Sequence, residues 1–359
     1  MKKTLKWIGI AVMSPILLFM ILAALLYLPP VQNWVAGMVT SIVAEKTGME
    51  ISIGRVSLEW PLNLGINDFR ALHQNDSLPQ VKDTIADIGH LTVDIKFLPL
   101  LQKRVVINEL SLQKASINTN GFISDLRIKG NLQELWLSSK GIDLDKETAE
   151  VNGARLTKAN LDIALSDTAA IDTTESTLAW IINADSLSIH QTNLKIHMPG
   201  DTLNVEALLG HAVAREATID FGKSIYQVAS LDWQKGRLNY DDRHAPPSPG
   251  FDYNHIALTD INLGLDSISY TPTGTSLYIR NTAFKEKSGL AITSMSGGVN
   301  LDSTFSHIQI PALYLKTPDT DLYTEVDMDF RTFGDSLSQQ GAGLPGNMKM
   351  RLNAQIGKQ

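Results

Sequence analysis

The sequence predicts a mainly β protein: an N-terminal transmembrane helix and an amphipathic helix, then an elongated, curved antiparallel β-sheet of repeat-like character. Three observations carry this. Lys2, Lys3 and Lys6 precede an uncharged 22-residue run, "WIGIAVMSPILLFMILAALLYL" (7–28). After Gly48 the apolar period changes from 3.6 to 2. From residue 110 onward one outline, two apolar residues two apart, four mostly polar residues, then an apolar residue again, keeps returning.

The first run comes first in the chain and sets the topology. At about 1.5 Å per residue, 22 residues span roughly 33 Å, against about 30 Å of hydrocarbon. The lysines mark the cytoplasmic end, and Trp7 and Tyr27 sit where interfacial aromatics belong. A cleaved signal would have an apolar region of about 7–15 residues ending in a small-x-small site, and "AALLYLPP" is a poor one. The reading is therefore a cytoplasmic tail (1–6), a retained anchor (7–28), and a bulk outside the cytoplasm. After residue 28 there are 28 basic and 38 acidic residues, a net charge of −10. That balance argues against nucleic acid as a partner, because no basic stripe is present to displace counterions. The absence of cysteine excludes disulfides, thiolate metal sites and a cysteine nucleophile.

Next, Val31, Trp34, Val35, Met38, Val39, Ile42 and Val43 recur at three- and four-residue spacing, which predicts a helix over 29–48 with one apolar face. Pro30 suits its first turn and Gly48 its C-cap. Then alternation begins: "MEISIGRVSLEW" (49–60), "LTVDIKF" (91–97), "RVVINELSL" (104–112), "DLYTEVDMDF" (321–330) and "NMKMRLNAQI" (347–356) read as strands with one apolar and one solvated face. Turns are expected at "HQND" (73–76), "SDTAAIDTTEST" (166–177), "DDRHAPPSPG" (241–250) and "TPTG" (271–274).

The recurring outline is "LSLQKASI" (110–117), "RLTKANLDI" (155–163), "LSIHQTNLKI" (187–196) and "LDWQKGRLNY" (231–240). Leu112 and Ile117, Leu156 and Leu161, Ile189 and Leu194, Trp233 and Leu238 are each five apart. We read each copy as two short strands joined by a polar bend, an irregular repeat whose units bury their apolar faces against neighbours. With no helix pattern beyond residue 50 to cover it, the apolar face must curl on itself or be left for a ligand. The candidate lining is Leu110, Leu112, Ile117, Leu156, Leu161 and Ile163, continuing through Leu187, Ile189, Leu194, Ile196, Leu238, Leu263 and Leu265. By pattern alone a packed core is the plainer reading of these residues, since most alternating strands simply fold domains.

Chemistry-bearing motifs are scarce. "GAGLPG" (341–346) matches G-x-G-x-x-G but lacks the preceding strand and following helix that phosphate binding requires. The eight histidines show no zinc-site spacing; His190 and His197 flank one bend and could approach each other, but read as polar turn residues. "DDRH" (241–244) reads as a solvated loop tip. There is no G-x-S-x-G elbow and no Walker loop. The expectation is a protein that is not an enzyme and carries no cofactor or metal.

Several segments, in order, resemble a known family. "PVQNWVAGMVTSIVAEKTGMEISIGRVSLEWPLNLGINDF", "LTVDIKFLPLLQKRVVINELSLQKASIN" and "NTAFKEKSGLAITSMSG" (281–297) are similar to the AsmA-like superfamily, and within it to the N-terminal region of translocation and assembly module (TamB) proteins of Bacteroidota type. The resemblance implies an AsmA-like N-terminal β unit over 49–120 and an extended β-groove, or taco, over 121–359, either continuing in a longer parent chain or belonging to a short AsmA-type protein. It further implies a single-pass inner-membrane protein, its bulk periplasmic, that carries phospholipid toward the outer membrane. The alternative it carries is a scaffold for outer-membrane β-barrel assembly or secretion beside a TamA/BamA-type barrel.

Overall fold

The computed structural model describes residues 37, 40, 41, 44, 48–59, 63–74, 80–95, 106–119, 126–143, 146–165, 180–198, 203–304, 306–329 and 347–356. The anchor (7–28) and the tail before it lie outside these residues. Of the predicted helix over 29–48, Gly37, Thr40, Ser41 and Ala44 are described and are helical; the Gly48 amide donates to the Ala44 carbonyl at 2.9 Å.

Among the described residues 83% are strand, in one open sheet of 16 strands. They are β1 (Glu50–Glu59), β2 (Asn63–Gln74), β3 (Lys82–Ile95), β4 (Val106–Asn118), β5 (Leu126–Asp143), β6 (Thr148–Leu165), β7 (Ile181–His197) and β8 (Leu203–Asp220). Then follow β9 (Ile225–Asp242), β10 (His255–Thr271), β11 (Gly274–Glu286), β12 (Ala291–Ile292), β13 (Ser294–Asp302), β14 (His307–Lys316), β15 (Thr320–Asp329) and β16 (Asn347–Ile356). Sequence neighbours pair throughout, with the two-residue β12 sitting beside β11 off the main path. Fifteen strands at about 4.8 Å give a contour on the order of 70 Å along the hydrogen-bonding direction. All five strands read from alternation are present, as are turns within 241–250 and 271–274, after Asp242 and between Thr271 and Gly274; of the turn expected at 73–76, His73 and Gln74 are instead the end of β2 and 75–76 lie outside the described residues, as does 166–177.

Two expectations need correction. The sheet is mixed, because β6 and β7 run parallel. The reason lies in the repeat: their copies of the outline are 33 residues apart, and parallel pairing sets Leu156 against Ile189, Leu161 against Leu194 and Ile163 against Ile196. Each apolar residue thereby meets its counterpart. Second, the copies are not pairs of short strands. Each lies inside one continuous strand, β4, β6, β7 or β9, and the bend is a single residue with left-handed backbone: Lys114, Lys158, Gln191 and Lys235, all with φ between 49° and 54°.

That residue explains the five-residue spacing. In a regular strand, residues five apart face opposite sides. One left-handed residue resets the phase, as in a bulge, so Leu112 and Ala115 pack in the same cluster and alternation carries the face on to Ile117. Asp68 in β2 and Asp260 in β10 do the same (φ 54° each), so a crease crosses the sheet. Side-chain-free residues admit it: a Cβ on Gly210 would come 2.5 Å from the Lys235 carbonyl oxygen, and one on Gly236 would run into the Trp233 indole.

The strand ends form two long rims. The first carries the β5–β6, β8–β9 and β10–β11 turns, the second the ends of β7, β9 and β11.

Candidate functional site: apolar rows along the sheet

Residues paired directly across strands share a face, so the register sorts the predicted lining into rows that run along the sheet. One row is Leu110–Leu137–Ala154–Leu187–Ala214–Leu231–Leu265. The next is Leu112–Leu135–Leu156–Ile189–Ala212–Trp233–Leu263. Beyond the crease come Ile117–Gly130–Leu161–Leu194–Ala207–Leu238–Leu258 and Ile128–Ile163–Ile196–Val205–Tyr240–Ile256. All thirteen candidates fall in these four rows, and no member of any row is charged. The rows cross β4–β10, roughly 30 Å at about 4.8 Å per strand.

The floor of this face is the crease. Small or compact side chains there are the most deeply buried of the central strands: Ala159 and Thr192 are 1% exposed and Ile261 is 3% exposed. An alanine on a flat one-layer sheet would be open to solvent. Its burial means that the aliphatic side chains of the rows on either side cover it. The thirteen lining residues themselves are half-buried, none fully buried and none fully exposed. Among the described residues no second layer of strand or helix lies on them.

Sequence reading missed Leu135, Leu137, Ala207 and Ala212, on β5 and β8, because the outline does not recur there. It also missed the copies in β2 and β10, where Ile66 and Ala71, and Leu258 and Leu263, are again five apart around Asp68 and Asp260. A polar residue two after an apolar one, with another apolar residue three further on, would have found all six.

The opposite face is polar and knitted by side chains. Asn193 Nδ2 donates to Asn160 Oδ1 (2.8 Å) and Asn160 Nδ2 to Asn131 Oδ1 (3.2 Å). Lys195 bonds Glu206 at 2.7 Å, which raises the lysine pKa. Arg155 lies over the Trp136 ring at 5.4 Å and pairs with Glu134 at 3.5 Å. Arg280 bridges Asp232 and Asp266. Ser188 points away from the rows and its hydroxyl donates to the Ala154 carbonyl at 3.2 Å. The grooves between these side chains include one of about 540 Å³ floored by the backbone of Gly130, Leu161, Leu194 and Ala207.

His190 does not approach His197. It sits opposite His211, ring centroids 4.6 Å apart and Nδ1 atoms 3.1 Å apart. Burial, then the charges of His211 and Arg155, push its pKa down. Neither histidine is in a turn; both are strand residues. The "FKEKSGL" element is a corner built around Glu286, whose carboxylate accepts the Ser288 N–H (2.7 Å) and the Ala257 N–H (3.3 Å). Burial opposes its charge, but the donors from Ser288, Ala257 and Lys287 outweigh it and its pKa falls.

No family model matches the chain, and no curated protein matches it.

Proposed function

We propose that the apolar face is a lipid trough: acyl chains slide along the rows while head groups stay in water, and the protein is an inner-membrane-anchored periplasmic bridge that conducts phospholipid toward the outer membrane. The observation that carries this reading is the run of four uncharged rows, half-buried over a creased floor, parallel to the long axis of the sheet. Continuity matters energetically. At about 0.8 kcal/mol per buried CH₂, a chain of about 16 carbons in bare water would cost over 10 kcal/mol. A single unpartnered charge on the path would restore several kcal/mol of that barrier. The resemblance to the AsmA-like superfamily points the same way.

The test is photo-crosslinking in cells. Probes at Ile189, Leu194 and Ile196 should capture phospholipid, while probes at Ser188 and Lys195 capture little. Leu194→Arg should stop passage and leave the protein folded. A packed core predicts no lipid adducts at any position and an unfolded Leu194→Arg variant; equal capture at both sets would mean non-specific membrane contact.

A second reading is favoured by one observation. Among the described residues β16 pairs with β15 alone, and on it Met350 is 50% and Leu352 56% exposed. Apolar side chains exposed on such a strand suit strand addition by a client in outer-membrane β-barrel assembly or secretion, beside a TamA/BamA-type barrel. Crosslinkers at Met350 and Leu352 that trap barrel precursors, with no lipid at Leu194, would favour it.

A further inference from the structure

His190 on β7 and His211 on β8 are directly opposed in the antiparallel register. Their neighbours Ile189 and Ala212 pair in one of the apolar rows, so the two imidazoles stand on the opposite, solvated face. Both are half-buried, their rings tilted by 41°. Each ring turns Nδ1 toward the other, and those two nitrogens lie 3.1 Å apart. A neutral imidazole has one N–H and one lone-pair nitrogen. With both protons on Nε2, the two Nδ1 lone pairs converge on one point. The backbone beneath them is held by the crease. The Thr192 hydroxyl donates to the His190 carbonyl at 3.2 Å, and Thr192 itself is 1% exposed. Gly210, beside His211, packs so closely on β9 that a Cβ would come 2.5 Å from the Lys235 carbonyl oxygen. Arg155 on β6 acts on His190 through its charge. It is itself paired with Glu134 at 3.5 Å, which softens its repulsion of a cation.

We infer that His190 and His211 form a two-histidine site for a borderline divalent metal ion of the Zn²⁺ class. The bite distance is the argument. Two nitrogens 3.1 Å apart, each at a bond length of about 2.0–2.1 Å, subtend about 100° at the ion, near the tetrahedral angle that Zn²⁺ takes. Imidazole nitrogen suits Zn²⁺ and Cu²⁺, whereas Mg²⁺ seeks oxygen. A ligating imidazole must be neutral, and burial with the charges of His211 and Arg155 favours that form of His190. Among the described residues no third His, Asp or Glu completes a shell. Water fills the other positions, so the ion is exchangeable and its affinity micromolar. Bound, it ties β7 to β8 across the sheet. The two histidines are 21 residues apart in sequence, so no local spacing announces the pair and only the β7–β8 register brings it together. The site lies on the face opposite the rows and requires no lipid.

The full-length chain in detergent, titrated with Zn²⁺ alone by calorimetry near neutral pH, tests this. One Zn²⁺ per chain should bind. His190→Gln and His211→Gln should each weaken binding about tenfold or more. His244→Gln, at an exposed turn position, should leave it unchanged, and excess Mg²⁺ should not compete. A protection experiment on the unsubstituted protein reads the same point without relying on a variant that folds. Zn²⁺ should slow carbethoxylation of His190 and His211 by diethyl pyrocarbonate about fivefold and leave that of His244 as it was. The site is overturned if no Zn²⁺ binds, if affinity survives both substitutions, or if His190 and His211 are modified equally fast with and without Zn²⁺. Full competition by Mg²⁺ overturns it too, since that marks an oxygen site elsewhere. None of these outcomes bears on the trough, which is tested from the other face.

Discussion

Strands β2–β4 and strands β6–β8 are written in the same alternating code but bury different things. In the first group the fully buried residues are mostly large aliphatics: Leu64, Ile66, Ile88, Leu91 and Val93, with Ile53, Phe69, Leu110 and Leu112 packed against them. In the second, the buried cluster is Ala149, Val151, Ala184 and Ala217, and the long side chains Leu187 and Ile182 are only half-buried around it. The first region is packed like a core. The second buries its floor and leaves its walls in contact with water. The difference separates the part of the sheet that pays for folding from the part free to hold something else.

The largest effect that would sharpen this contrast is in the first region. Ile66→Ala, at a side chain 3% exposed, should cost about 3–4 kcal/mol in urea unfolding, whereas Ile189→Ala, half-buried, should cost about 1 kcal/mol. Equal losses would make the central strands a core as well and remove the physical basis for a trough. Next comes the corner at Glu286. Glu286→Ala removes the carboxylate that accepts from the Ala257 and Ser288 amides and should cost about 1–2 kcal/mol, read by the same unfolding curves.

The crease supplies a test of sign. Lys158 holds φ 50°, a conformation that disfavours any side chain and above all a β-branched one. Lys158→Gly should be neutral or stabilising by up to about 1 kcal/mol, while Lys158→Val should destabilise by about 1–2 kcal/mol. Destabilisation by glycine would show that the lysine side chain, not the backbone, holds the bend.

Acid should act on the turns rather than on either face. The Ser248 amide pulls Asp252 down to about 2, with burial opposing and His255 and the Asn254 amide adding. Burial also opposes the charge of Asp302, but His307, Ser306 and Thr304 donate to it and lower it to about 2. Both carboxyls are depressed in the folded state, so their stabilisation is complete above about pH 4 and is lost as the pH falls from about 4 to 2. Asp302→Asn should flatten that part of the stability profile. The smallest effect belongs to the polar face: Lys195→Ala removes one exposed pair with Glu206 and should leave the urea unfolding midpoint unchanged.

Much of the fold was legible because alternation is a local property. Period 2 follows from strand geometry, so "NMKMRLNAQI" declares both that it is a strand and which side chains share a face. The outline around Lys114, Lys158, Gln191 and Lys235 even placed the bends, since only a phase reset lets apolar residues five apart serve one face. The conformation of the bend was not legible: lysine and glutamine carry no left-handed signature, and one of the tight glycines that admit it, Gly210, sits on the strand beside Lys235.

The sequence by itself determined the alternating strands, which of their side chains share a face, and thirteen uncharged positions that fall in common rows. Tertiary structure decided three further things. Pairing partners set the rows, because register is a relation between segments and made β6 and β7 parallel where an antiparallel sheet was expected. Side-chain packing across the crease set depth, burying Ala159 while leaving Leu156 and Leu161 half-open on either side. And the meeting of strand ends set chemistry, bringing Asp241, Arg243 and Lys287 to one cavity across up to 46 residues of chain. Each depends on distances between parts of the chain remote in sequence, which no local pattern encodes.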